Sequence, residues 1–190
     1  MNHADHVALI RTGVDGAGPR WLELGAGEGA FTLALADVLG PAARIVAVDR
    51  DRRALEAMRS RVRGRFPAAE LDTVVADFTS GLPAGPFDGV LAANSLHFVA
   101  QPDAVLAAIH ATLAPAGRFI LVEYDADRGN PWVPHPISFD RWRREAEAHG
   151  FDKPRLIHRV PSRFLNAIYG SVSTKTRVVD SGPHGDDREE

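Results

Sequence analysis

The chain has no cysteine among its 190 residues. That excludes a disulfide framework, a thiolate nucleophile and a cysteine metal site. It lacks any apolar run approaching the roughly 20 residues that a membrane-spanning helix needs. Its first eighteen residues have no basic start and no apolar core, so a secretory signal is not expected and a cytoplasmic protein is the default expectation. Charge of one sign is also scarce. The 22 Lys and Arg residues nearly balance the 25 Asp and Glu residues, for a net charge of −3, which argues against a broad nucleic-acid surface. What is present suits a soluble globule: 45% hydrophobic residues and a length that fits one domain with a full core.

One local exception to the charge balance stands out. Arg50, Arg52, Arg53, Arg59, Arg61, Arg63 and Arg65 crowd a single segment. Within it Leu55, Met58, Val62 and Phe66 recur at helical spacing and mark a buried stripe. The arginines take much of the remaining surface. A solvated helix face is preferred over a site for RNA or an acidic partner, because Asp51, Glu56 and Glu70 dilute the patch.

The most informative run is Trp21-Leu22-Glu23-Leu24-Gly25-Ala26-Gly27-Glu28-Gly29-Ala30-Phe31. A short apolar stretch leads into three glycines at alternate positions, and an amphipathic segment follows. That order reads as strand, tight turn and helix. Glycine permits positive φ and close approach of a ligand, and the first amides of the helix point at whatever lies over the turn. A nucleotide-like cofactor is expected there. Glu23 bears on which one. A carboxylate about 6 Å from a pyrophosphate charge would be repelled by roughly 2–3 kcal/mol at an effective dielectric near 20. S-adenosylmethionine brings a sulfonium and an ammonium instead, and a neighbouring glutamate attracts both.

Three later segments extend the pattern. Ile45-Val46-Ala47-Val48 ends in Asp49, an acid placed to accept both ribose hydroxyls. Its other role is a helix N-cap, which Asp51 could fill instead. Thr73-Val74-Val75-Ala76 ends in Asp77 and Phe78, an acid for an adenine amine and a ring to lie beside the base, or equally a loop-opening acid and a core phenylalanine. Phe87 to Ala93 is an apolar strand that ends in the polar cluster Asn94-Ser95-Leu96-His97-Phe98, where a doubly wound sheet opens its ligand crevice. Leu113-Ala114-Pro115-Ala116-Gly117 then turns into the strand Arg118–Glu123.

Taken in order, residues 20 to about 124 resemble the core of the class I S-adenosylmethionine-dependent methyltransferases. The resemblance implies a Rossmann-like α/β fold: a doubly wound sheet, mostly parallel, whose last strand inserts antiparallel between the fifth and sixth. It implies that Glu23, Gly25, Ala26, Gly27 and Gly29 surround the methionine end of S-adenosyl-L-methionine. Asp49 and its neighbour Arg50 would lie at the ribose, Asp77 at the adenine amine and Phe78 beside the ring. Asn94 and Ser95 would pass near the sulfonium. Ser95-Leu96-His97 after Asn94 lacks the proline and aromatic clamp of amino-group methylators of nucleobases or glutamine. The acids of metal-assisted catechol-type enzymes are missing after the fourth strand, so no metal is expected. The paired glutamates of protein arginine methylators are missing too. A small-molecule acceptor remains.

Coarse boundaries follow from the same periodicities. A short amphipathic piece (6–11) precedes strand 20–24, helix 29–39, strand 44–49, helix 51–66, strand 71–76, strand 87–93, helix 102–113 and strand 117–124. Between Asp77 and Phe87 the residues Gly81, Pro83, Gly85 and Pro86 leave only a loop where the family often carries a helix. A proline-rich loop with Trp132 and His135 then either covers a substrate or serves as a rigid connector whose tryptophan covers the core edge. Helix 138–149 and strands near 154–160 and 165–172 complete a domain spanning 1–173, and the polar tail 174–190 is expected to be disordered.

Methyl transfer from a sulfonium needs a base only when the acceptor must lose a proton. His97, Glu123, Tyr124 and His135 are the candidates. His97 fits a base or a group that bonds the cofactor loop. Glu123 and Tyr124 either face the acceptor or pin the proline-rich loop. His3, Asp5 and His6 sit near a terminus that could fold over the cofactor. Two rival readings stay open. Gly25-x-Gly27-x-x-Ala30 with Asp49 also fits an NAD-dependent oxidoreductase, and a noncatalytic cofactor-binding sensor or partner subunit needs no acceptor pocket at all.

Overall fold

The computed structural model describes residues 1–176. Seven strands form one sheet: β1 (Arg20–Leu24), β2 (Arg44–Asp49), β3 (Glu70–Val75), β4 (Phe87–Ala93), β5 (Leu113–Tyr124), β6 (Arg155–Pro161) and β7 (Ala167–Thr174), in the order β3-β2-β1-β4-β5-β7-β6. The first five are parallel, and β7 runs antiparallel between β5 and β6. The helices are α1 (His3–Val14), α2 (Ala30–Leu39), α3 (Arg52–Arg65), α4 (Asp103–Thr112) and α5 (Phe139–Glu145). The expected Rossmann-like architecture and the inserted last strand are both present. None of these helices is long and apolar enough to cross a membrane.

Both faces of the sheet are covered, so its central strands are buried on both sides. Trp21, Ile45, Leu91 and Ile120 pack under α1 and α2. Leu22, Leu24, Val90 and Phe119 pack on the other face, with α4 and the inward side of α5, Phe139 and Trp142. The crossover from β3 to β4 has no helix beyond a single 3-10 turn at Phe78–Ser80, as the glycines and prolines there predict. The stripe Leu55, Met58 and Val62 is buried on α3 and its arginines are exposed. Ser138 caps α5 and Gly150 ends the following 3-10 turn in a left-handed conformation.

Several boundaries differ from the sequence expectation: β5 starts at Leu113 rather than 117, and the helix expected over 138–149 is α-helical only to Glu145 and then 3-10. Helix α1 extends from His3 to Val14 because Asn2 and Asp5 form a reciprocal cap, each side chain accepting the other's amide at 2.9 Å. Strand β7 runs to Thr174, and the Thr176 amide and hydroxyl both donate to the Gly150 carbonyl. The chain is therefore ordered three residues into the expected tail; the rest of that tail lies outside the described residues.

Helix α1 does not fold over the crevice. It lies against α2 and the β5–β7 end of the sheet, with His3 on Asp37 at 2.7 Å and the His6 ring against Phe31. Burial lowers the His6 pKa. This seat depends on Gly170 of β7, where a β-carbon would collide with the Leu9 carbonyl oxygen. Gly170→Ala is expected to cost about 1–3 kcal/mol in urea unfolding, by pushing α1 off the sheet. An unchanged midpoint would show that α1 rides loosely.

Candidate functional site

The carboxyl ends of β1 to β4 surround a cavity of about 590 Å³. This is the place where a doubly wound sheet reverses its strand order, between β1 and β4. The glycine turn forms its floor. Gly25 and Gly27 line the cavity, with φ of +71° and +52°. A β-carbon on Gly27 would meet nothing within 4 Å, so the space above it is open to a ligand. No side chain caps the amino end of α2, which leaves its first amides for that ligand.

Asp49 closes the turn from the side. Its Oδ2 accepts the Gly27 amide and its Oδ1 the Asp51 amide, both at 2.8 Å. The N-cap role falls to Asp51, which accepts the Arg53 and Ala54 amides. Asp77 and Phe78 form the far wall. The Thr79 hydroxyl and amide both donate to Asp77 Oδ1 and hold its carboxyl below the usual range. Arg50, Asn94 and Ser95 line the cavity as well. Asn94 takes a left-handed φ of +51°, which asparagine tolerates better than most residues. Its Oδ1 and the Ser95 Oγ are buried without a partner among the described residues. A buried polar atom left unpaired costs about 1–3 kcal/mol.

Three cofactor candidates lie beneath the turn rather than in the cavity. Ala26 packs with Leu55 and Met58. Gly29 caps α2, and a β-carbon there would collide with the Met58 side chain. Glu23 requires a correction. It shares the face of Trp21 by strand alternation, is 2% exposed, and takes a 2.6 Å hydrogen bond from the Thr32 hydroxyl of α2. It does not line the cavity. Burial raises its pKa to about 8, so the carboxyl is mostly neutral at pH 7. The charge preference comes instead from the rim, where Glu28, Asp49, Asp51 and Asp77 oppose Arg50 alone. Four acids against one base favour a cation over a pyrophosphate.

The raised Glu23 pKa has a sign that can be tested. Between its ordinary value of 4.5 and about 8 the unfolded chain has shed a proton that the folded chain retains. Stability therefore falls as pH rises through that window. Glu23→Gln removes the titration, and its stability relative to the parent is expected to grow by on the order of 2–4 kcal/mol from about pH 5 to about pH 8. Parallel stability curves for the two proteins would mean that Glu23 is already ionised in the fold.

The three catalytic candidates form one buried cluster behind the cavity. His97 sits in a 3-10 turn (Leu96–Phe98) after β4, and Glu123 and Tyr124 end β5. Nδ1 of His97 lies 2.9 and 3.0 Å from the two Glu123 oxygens. Glu123 also accepts the His97 amide at 3.2 Å and the Tyr124 amide at 2.8 Å, and is fully buried. The Tyr124 ring meets the imidazole edge-on, and burial, helped by the Glu123 charge, raises its pKa. None of the three lines the cavity, but their neighbours Ser95, Phe98 and Val99 do. His135 contributes its amide, which donates to the His97 carbonyl at 3.0 Å.

Sequence reasoning missed Glu28, Asp51, Ala54, Ala76, Thr79, Phe98 and Val99 as lining residues. Glu28 and Asp51 flank predicted binding residues directly, so adjacency was the available signal. Among the described residues no group of three or more His, Asp or Glu side chains could hold a metal.

A family model described as "Methyltransferase domain" matches residues 22–121, a span that contains every residue lining the cavity. A protein of Thermoplasma volcanium described as a probable cobalt-precorrin-6B C(15)-methyltransferase (decarboxylating) is 31% identical over 84 residues, covering 44% of this chain and 41% of that protein. The S-adenosyl-L-methionine-dependent Diels-Alderase iccD of Talaromyces variabilis is 31% identical over 131 residues, covering 64% of this chain and 44% of that protein. Each match spans less than half of the relative's length. The solved structure of the YcgJ protein of Bacillus subtilis superposes with a TM-score of 0.73 at 15% identity, covering 92% of this chain and 100% of that one, a likeness of fold. The chain belongs to the methyltransferase domain family, and its cofactor is S-adenosyl-L-methionine.

Proposed function

We propose that this chain transfers the methyl group of S-adenosylmethionine to a small-molecule acceptor. The observation that carries the reading is the cavity's acidic rim around the open glycine turn. In this reading the glycine turn and the uncapped α2 amides hold the methionine carboxylate. Asp49 accepts the ribose hydroxyls with Arg50 beside it, Asp77 accepts the adenine amine, and Phe78 lies along the base. Asn94 and Ser95 face the methionine end. Glu23, Ala26 and Gly29 shape the turn from below.

The cofactor supplies a methyl group already activated on a sulfonium, so the protein mainly aligns the acceptor and excludes water. Such positioning is worth roughly 7–11 kcal/mol of barrier. On the acceptor side Glu123 fixes the His97 ring through Nδ1, which leaves Nε2 as the atom that takes a proton. Tyr124 closes that side with its ring edge-on to the imidazole. His97 is only 4% exposed, which suits a slim group on a small acceptor.

Thermal shift tests the cofactor class. S-adenosylhomocysteine is expected to raise the unfolding midpoint, and NADH is not; a shift with NADH alone would sink the proposal. Asp49→Ala is expected to weaken S-adenosylhomocysteine binding by about 1–3 kcal/mol in calorimetry, through lost charge-assisted bonds to ribose. Unchanged affinity would remove the ribose assignment. Labelled methyl transfer from S-adenosylmethionine into a metabolite pool then separates an enzyme from a sensor, since a sensor binds and transfers nothing.

A further inference from the structure

Resting on the methyl-transfer reading, we propose that the acceptor is a hydroxylated aromatic molecule. Phe98, Trp132 and Phe164 hold its ring, and its hydroxyl meets Nε2 of His97. These three side chains are 62%, 70% and 62% exposed, among the few large apolar groups the fold leaves uncovered. They belong to three different segments: the turn after β4, the proline-rich loop after β5, and the turn between β6 and β7. Hydrogen bonds join those segments at one end of the sheet. The His135 amide donates to the His97 carbonyl at 3.0 Å, and the Asn130 side-chain amide donates to the Phe164 carbonyl at 3.4 Å. Asn130 Oδ1 in turn accepts the Trp132 and Val133 amides at 2.9 Å, which fixes the loop beneath the tryptophan.

Phe98 also lines the cofactor cavity. The Phe98 ring lies 4.2 Å from the imidazole, centroid to centroid. An aromatic body on that ring therefore brings a substituent toward His97. Trp132 does not cover the core edge; Val133, its neighbour, is the residue buried there at 2% exposure. Exposed rings on segments joined by hydrogen bonds at one end of the sheet fit an aromatic ligand, to which they offer stacking as well as apolar area.

The imidazole selects the reacting group. Among the described residues the ring bonds through Nδ1 to Glu123, which leaves Nε2 for the acceptor. A nitrogen acceptor attacks with its lone pair before it loses a proton, so it gains little from a base. A hydroxyl gains most. In the transfer the acceptor O–H bond breaks and the proton goes to Nε2. The oxygen pair forms the O–CH₃ bond as the S–CH₃ bond breaks, which leaves a neutral thioether. Glu123 holds the resulting imidazolium.

The test uses 2-naphthol, 2-naphthylamine and glycerol as probes on the full chain. Calorimetry on the S-adenosylhomocysteine complex is expected to show 2-naphthol binding and glycerol not binding. Transfer to 2-naphthol is expected to exceed transfer to 2-naphthylamine by about tenfold or more. Trp132→Ala and Phe164→Ala alter exposed side chains, so both should fold. Each is expected to raise the 2-naphthol Kd and KM by about tenfold at unchanged affinity for S-adenosylhomocysteine. Failure of 2-naphthol to bind while S-adenosylhomocysteine binds would overturn the acceptor class and leave the methyltransferase reading in place. Equal turnover of the amine, or equal binding of glycerol, would also overturn it. Failure of S-adenosylhomocysteine itself to bind would remove both.

Discussion

Gly27→Val is expected to fold and to lose measurable affinity for S-adenosylhomocysteine. Two effects combine. Gly27 holds φ at +52°, where a β-branched residue is strained by roughly 1–2 kcal/mol. The larger effect is displacement, because the added side chain would stand in the open space directly above the turn. That same openness means the folded protein has no neighbour to clash with, so circular dichroism and the unfolding midpoint should change little beyond the strain. The expected loss in calorimetry is about a hundredfold or more, since even one misplaced methylene in a packed site is felt. A variant that binds normally would mean the ligand sits elsewhere and that the cavity above β1 and β4 is incidental.

His97→Gln is expected to lower kcat by about 10²–10⁴ on a hydroxyl acceptor, the usual contribution of a positioned base. Affinity for S-adenosylhomocysteine should not move, because the His97 ring lies outside the cofactor cavity. The pH profile of kcat supplies a readout that a structural role would not alter, and the variant should lose the limb that the imidazole contributes. Glu123→Gln is the companion. It keeps the shape of a fully buried side chain and removes the charge that steadies the imidazolium. A smaller fall in kcat with the same change of profile is expected. If both variants keep the parental kcat and profile, the pair only fastens β4 to β5 and the acceptor needs no base.

Much of this site is legible in the sequence because it is local. A strand, three glycines and a helix specify the turn within eleven residues, and the strand-end positions of Asp49, Asp77 and Asn94 follow from the alternation of elements. Glu23 is the instructive miss. Its polarity suggests the crevice, yet its parity with Trp21 puts it under α2, where Thr32 receives it. Parity was available and outweighs polarity on a strand buried on both faces. The pairing of His97 with Glu123 spans 26 residues and depends on the 3-10 turn after β4. No spacing rule encodes that. The seat of α1 is equally non-local, since it rests on Gly170 and so on a strand made at the other end of the chain.

The crossover between β3 and β4 also decides which part of the molecule is free to vary. Where a helix would stand, Asp77 and Phe78 form one wall of the cavity from a single turn fixed by Thr79, the wall that faces adenine in the proposed reading. Phe78 packs against the core from that turn, while Thr79 holds the Asp77 carboxyl. Lengthening or trimming the wall would retune base recognition and leave the glycine floor and the imidazole pair untouched, so the nucleobase end is the natural entry point for redesigning cofactor choice.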